Sequence, residues 1–235
     1  IFIKNVTLRE IHRDSFKDMT ILVEINLSDN FLTSIPRGTF AGNVRLKILV
    51  LSGNPLKTLA SQQFPPLPCL RTLELDSCQL RTMHEEAFSN LNELEILNLK
   101  LNDLQSISRE TFSNLTNLKS LALEGNPWRC DCQLRDFRNW YLSSTLPSMS
   151  PICYEPEVFK QRLWTSIMAE DFTCLPEVSI TNGDVEYKEL GESMTLNCII
   201  KGKPEPKVSW LFNGVPVSVG TNETFTEDVS VEKLD

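Results

Sequence analysis

Residues 97–107 read Leu97-Asn98-Leu99-Lys100-Leu101-Asn102-Asp103-Leu104-Gln105-Ser106-Ile107, and the same apolar spacing runs through Ile25, Leu27, Asn30, Leu32 and Ile35. The pattern is L-x-L-x-x-N-x-L-x-x-I, and it recurs at a fixed interval. Phe16, Phe40, Phe64, Phe88 and Phe112 are each 24 residues apart, and Asn30, Asn54, Cys78, Asn102 and Asn126 keep the same step. Successive side chains of an extended chain point to opposite faces. The two leucines of L-x-L therefore point inward from a short strand, and the residue between them points out.

Such a period identifies leucine-rich repeats. One strand per repeat, stacked at about 4.8 Å, builds a parallel concave sheet, and the Phe column fills the core from the convex side. The expected fold over residues 1–127 is a curved α/β-type solenoid. The turn Asn is expected inside, where its amide answers backbone groups that lack a ladder partner. Cys78 replaces it once, and Val6 stands at its place in the first unit.

Working outward, a solenoid must end in a segment that hides its last leucines. Residues 128–175 fit that role, with Cys130, Cys132, Cys153, Cys174 and three tryptophans, Trp128, Trp140 and Trp164. Four cysteines allow three pairings, and the sequence does not choose among them. A structural zinc site is the competing reading, but the C-x-C start fits poorly with zinc-knuckle spacing. Cys69 and Cys78 are expected to be free buried thiols.

Past Pro176 the period stops and a different pattern begins. Cys198 is followed 12 residues later by Trp210, with alternating apolar residues around both, as in strands B and C of an immunoglobulin sandwich. No Cys follows Cys198, so residues 176–235 are expected to be a truncated all-β sandwich with Cys198 and Trp210 in its core.

The 235 residues, 41% hydrophobic and 23% charged, support packed cores. A formal charge of -8 disfavours binding to a phosphate backbone, so no nucleic-acid partner is expected. No run of apolar residues is long enough to span a bilayer. Ile1 opens the chain without a signal segment, so any export signal or anchor is expected outside it. Four N-x-S/T sequons, at Asn5, Asn26, Asn114 and Asn222, point to the secretory pathway. Asn26 is awkward among them, since a glycan there would stand on the concave face.

Chemistry is hard to find. The two histidines, His12 and His84, share a repeat phase three units apart, some 14 Å by strand spacing, too far to share a metal or a proton. No phosphate loop or nucleophile elbow is present. The reading is a non-enzyme without cofactor or metal. What remains is the concave face, where Ile48, Val50 and Ile96 are expected to form an apolar strip beside Glu74, Asp76, Asn98 and Lys100, an apolar centre with a charged rim suited to a protein partner.

The order of repeats, cysteine-rich cap and single immunoglobulin unit resembles the Kekkon family of invertebrate transmembrane proteins. The resemblance rests on Leu123-Glu124-Gly125-Asn126-Pro127-Trp128-Arg129-Cys130-Asp131-Cys132-Gln133-Leu134-Arg135, with Cys153-Tyr154-Glu155-Pro156 and Asp171-Phe172-Thr173-Cys174. It implies a cap paired Cys130 to Cys153 and Cys132 to Cys174. It also implies a membrane-anchored protein on the outer cell surface that modulates growth-factor receptor signalling or cell adhesion through an extracellular protein partner or a second copy of itself. Two other plans share this domain order, the ligand-binding ectodomain of a neurotrophin-type receptor tyrosine kinase and a secreted matrix-organising protein.

Overall fold

The computed structural model describes residues 1–146, 149–180, 198–203, 206–207, 209–212 and 214–217. The chain divides into two compact units, Ile1–Phe172 and Thr173–Asp235.

In the first unit each L-x-L contributes its first leucine-type residue to a three-residue strand, and two further strands of two residues lie between them. In chain order these are β1 (Glu24–Asn26), β2 (Ile48–Val50), β3 (Thr58–Leu59), β4 (Thr72–Glu74), β5 (Thr82–Met83), β6 (Ile96–Asn98) and β7 (Ser120–Ala122). Strands β1, β2, β4, β6 and β7 form one parallel sheet in that order, and β3 pairs with β5 on the other side of the solenoid. Phe2 adds a parallel bridge to Asn26 at the first edge. Every neighbouring pair is in register at 24 residues, so Ile25, Leu49, Leu73, Leu97 and Leu121 stack in one line, all buried.

Each turn after a strand would bury carbonyl and amide groups with no ladder partner, and the column Asn satisfies them. Asn102 shows the full set. Its Nδ2 donates to the carbonyls of Leu75, Leu99 and Lys100, and its Oδ1 accepts the N–H groups of Cys78 and Leu80. Asn30, Asn54 and Asn126 repeat the geometry. At Cys78 the thiol donates to the Leu51 carbonyl at 3.3 Å but supplies no amide-type acceptor. The Leu56 N–H instead turns to the Asn54 carbonyl, 2.7 Å away. Burial pushes the Cys78 thiol up to about 12. Val6 stands outside this column. It is exposed, and only its backbone N–H takes part, bonded to Asn30 Oδ1.

One residue before each column position the backbone turns through the left-handed region, at Asn5, Asp29, Gly53, Ser77, Leu101 and Gly125. Gly, Asn, Asp and Ser tolerate that turn, whereas a left-handed backbone costs a larger side chain about 1–2 kcal/mol. Leu101 is the one bulky residue in the series, at φ 52°.

On the convex side the Phe rings stack, Phe16 on Phe40 at 5.7 Å and Phe64, Phe88 and Phe112 in sequence at 6.1 and 6.4 Å. Phe112 then meets Phe137 of the cap at 5.5 Å. The cap comprises β8 (Trp128–Arg129), α1 (Cys132–Ser143) and β9 (Cys153–Glu155). Asp131 caps α1 by accepting the Gln133 N–H. The helix buries Leu134, Phe137 and Tyr141, one face of a 3.6-residue period. The Tyr141 hydroxyl donates to the Leu121 carbonyl at the end of the last repeat, 2.8 Å away, and burial raises its pKa. Trp128 and Trp164 meet edge-on beneath it, both fully buried.

The second unit contributes β10 (Cys174–Ile180) antiparallel to β11 (Cys198–Lys203), and β12 (Trp210–Phe212) antiparallel to β13 (Val215–Val217).

Asn102→Ala removes five hydrogen bonds, four of them buried, and is expected to lower the unfolding free energy by about 2–4 kcal/mol. Cys78→Asn is expected to raise it by about 1 kcal/mol by supplying the missing acceptor. Urea midpoints of the two variants check both signs. Replacing Cys130 and Cys153 together by Ser opens a loop of sequence separation 23 and is expected to destabilise the cap by about 3 kcal/mol, read as a lower thermal midpoint.

Candidate functional site

The residues flanking each buried strand leucine form the concave surface. Register places them in two rows, Glu24, Ile48, Thr72, Ile96 and Ser120, then Asn26, Val50, Glu74, Asn98 and Ala122. A third row, Ser28, Ser52, Asp76, Lys100 and Glu124, continues through backbone bonds such as Gly53 N–H to the Asp76 carbonyl and Leu101 N–H to the Glu124 carbonyl. Neighbouring strands hold all of these side chains at fixed intervals before any partner arrives.

The apolar strip expected from Ile48, Val50 and Ile96 is interrupted. Thr72 stands between Ile48 and Ile96, and Glu74 between Val50 and Asn98. Ile48 and Val50 are half-buried, while Ile96 is 42% exposed. Polarity is organised around Asp76, which accepts from Ser52 Oγ at 2.5 Å and from Asn98 Nδ2 at 3.3 Å. Lys100 Nζ lies 3.4 Å from Glu124 Oε2, and its charge is matched within the chain. Among the described residues Glu74 and Asp76 have no ion pair, so this part of the face presents negative charge.

Along one side of the face Glu95 bridges Lys119, 2.7 Å away, and Arg71. The Lys119 hydrogen bond, followed by the nearby charges, holds the Glu95 carboxyl below the ordinary glutamate range.

The remaining sequence candidates fall elsewhere. His12 and His84 are exposed, and the Nδ1 of each accepts the N–H two residues on, from Asp14 and Glu86. Cys78 is a buried free thiol, but Cys69 is only half-buried, at the approach to a strand. Cys130 and Cys153 are joined, with Cα atoms 5.7 Å apart, and Cys132 and Cys174 are also disulfide-bonded. Cys198 opens β11 and Trp210 opens β12. Asn5 and Asn114 are exposed, Asn26 lies half-buried on the concave face with its Oδ1 accepting from the Ser28 N–H and hydroxyl, and Asn222 lies outside the described residues. Among the described residues no group of three or more His, Cys, Asp or Glu side chains could hold a metal ion, and no helix is long and apolar enough to cross a membrane.

One surface residue escaped the pattern reading. Leu101, immediately after Lys100, is 63% exposed. A signal existed in the column of Asn, Asp, Gly and Ser at 24-residue steps, in which a leucine is out of place.

Comparison with known proteins places these features in context. The leucine rich repeat model matches residues 1–56, 22–80 and 68–127, and the immunoglobulin I-set domain model matches residues 176–234. The human leucine-rich repeat, immunoglobulin-like domain and transmembrane domain-containing protein 2 is 30% identical over 96 residues, 39% of this chain and 17% of that protein. The Danio rerio leucine-rich repeat and fibronectin type III domain-containing protein 1 is 33% identical over 90 residues, 37% of this chain and 15% of that protein. The chain thus matches only about a sixth of these curated relatives' length. A chain of the solved octameric complex of Latrophilin 3, Unc5D and FLRT2 superposes with a TM-score of 0.65 at 28% identity, covering 70% of this chain and 51% of that one.

In an NMR titration Glu95 is expected to ionise below ordinary glutamates, and Lys119→Ala to move its midpoint back up. A lowered folded-state pKa stabilises the fold above the unfolded-state value, and that contribution fades as pH falls through the folded one. Glu95→Gln is therefore expected to flatten the acid limb of the stability curve.

Proposed function

The chain belongs to the leucine-rich-repeat family, and on that premise we propose that it is the extracellular recognition module of a cell-surface protein that binds another protein through its concave sheet. The observation that carries this reading is the rigid surface on which exposed Ile96 stands one row from Glu74 and two rows from Asp76, carboxylates with no ion pair among the described residues. An exposed apolar side chain on the same face as charge that no ion pair among the described residues offsets gives a partner both contact area and orientation. Binding rather than catalysis is the activity proposed.

The finer reading follows the Kekkon-like resemblance. The whole protein is held at the outer face of the plasma membrane and modulates growth-factor receptor signalling or cell adhesion, with an extracellular receptor or a second copy of itself as partner. The proposed interface is Ile48, Val50, Glu74, Asp76, Ile96, Asn98 and Lys100. Residues 1–127 carry the repeats, 128–175 the cap, closed by Cys130 to Cys153 and Cys132 to Cys174, and 176–235 an immunoglobulin-like unit with Cys198 and Trp210 in its core. Glycans at Asn5 and Asn114 leave the centre of the face open, Asn222 is a fourth glycan site in the proposal, and Asn26 is unmodified or peripheral to the partner.

The test uses the complete ectodomain as a soluble fusion, applied to cells displaying growth-factor receptors and to cells displaying the chain itself. Glu74→Lys with Lys100→Glu is expected to weaken binding by roughly tenfold or more at an unchanged thermal midpoint. Binding equal to wild type would remove the concave face from the mechanism.

A further inference from the structure

Leu101 combines three properties that folding alone does not favour. It occupies the left-handed region at φ 52°, it is a bulky apolar residue, and it is 63% exposed. The equivalent places in other repeats hold Asn5, Asp29, Gly53, Ser77 and Gly125, residues suited to such a turn. The next repeat also makes room for it. A Cβ at Gly125 would come within 2.5 Å of Leu101 Cδ2, so the absence of a side chain there leaves Leu101 its place at the rim. Backbone strain that gains no burial in return is of the kind that clusters at functional sites.

The surroundings indicate what would cover it. Leu101 follows Lys100, the third-row neighbour of Asp76, and its repeat also presents Ile96. Two nearby cations are already matched, Lys100 by Glu124 and Arg81 by Asp103. Glu74 and Asp76 are not matched among the described residues. We propose that Leu101 is the apolar anchor of the recognition face, covered by an apolar side chain of a protein partner whose Lys or Arg residues meet Glu74 and Asp76. The proposal rests on the concave-face reading and extends it to a rim residue and to a basic class of partner.

The test pans a displayed library of random twelve-residue peptides on the whole chain and measures the selected peptides against three variants. Peptides with an apolar residue flanked by Lys or Arg are expected. Leu101→Gly is expected to weaken them by roughly tenfold or more while the thermal midpoint holds or rises, because the glycine relieves the turn. Glu74→Gln is expected to weaken them and to reduce their salt dependence.

A Leu101→Gly variant that melts lower than wild type would make Leu101 a structural residue and overturn the proposal. Acidic selected peptides would overturn the partner's chemistry. If Glu74→Lys abolishes binding and Leu101→Gly does not, the concave face stands and the anchor falls. If neither affects binding, the concave-face reading itself fails and takes the anchor with it.

Discussion

A buried turn has to satisfy its backbone, and the asparagine column does so for this solenoid. Each strand lasts two or three residues before the chain turns, so each repeat places several peptide groups in a dry interior with no ladder to join. One amide offers two donors and a two-fold acceptor, enough to tie its own turn to the turn before it. Asn102 bonds to residues 22 to 27 positions away as well as to its own repeat, so the same side chain closes a turn and stacks two repeats. The Cys78 exception supports this account. A thiol supplies a weak donor and no good acceptor, and the chain compensates with a tighter local bond at Leu56.

With the turns fixed, the remaining forces sort themselves by side. The inner leucines are sequestered between the sheet and the Phe stack, and that stack continues into the cap through Phe112, Phe137 and Trp140. The helix of the cap thereby covers the final repeat with aromatic surface, while Tyr141 satisfies the Leu121 carbonyl. Because folding is secured by the interior, the exposed side chains of the concave face carry little of the packing. They form a surface whose composition stability does not dictate, and function can write on it.

The most informative residues are those that work against this ordering. A leucine in a left-handed turn, exposed to water, adds strain without burial. Two carboxylates on one face add repulsion that no ion pair among the described residues offsets. Repeats make such departures visible, since every position has its own series of equivalents for comparison. Leu101 stands out against Asp29, Gly53, Ser77 and Gly125, as Cys78 does against the asparagines.

Much was legible beforehand. The 24-residue step determined the parallel sheet, which leucines point inward, where the Phe column lies and where the cap must begin, because facing and stacking in a repeat follow directly from sequence spacing. The alternation also separated exposed strand positions from buried ones. Tertiary structure alone decided how far each outward residue protrudes and which charges are matched. Ile48 and Val50 sink between their neighbours while Ile96 stands clear, and Lys100 is matched by Glu124 while Asp76 has no ion pair among the described residues. Periodicity assigns a side chain to a face, but its exposure and its charge partner depend on the side chains of adjacent strands, 24 residues away on either side.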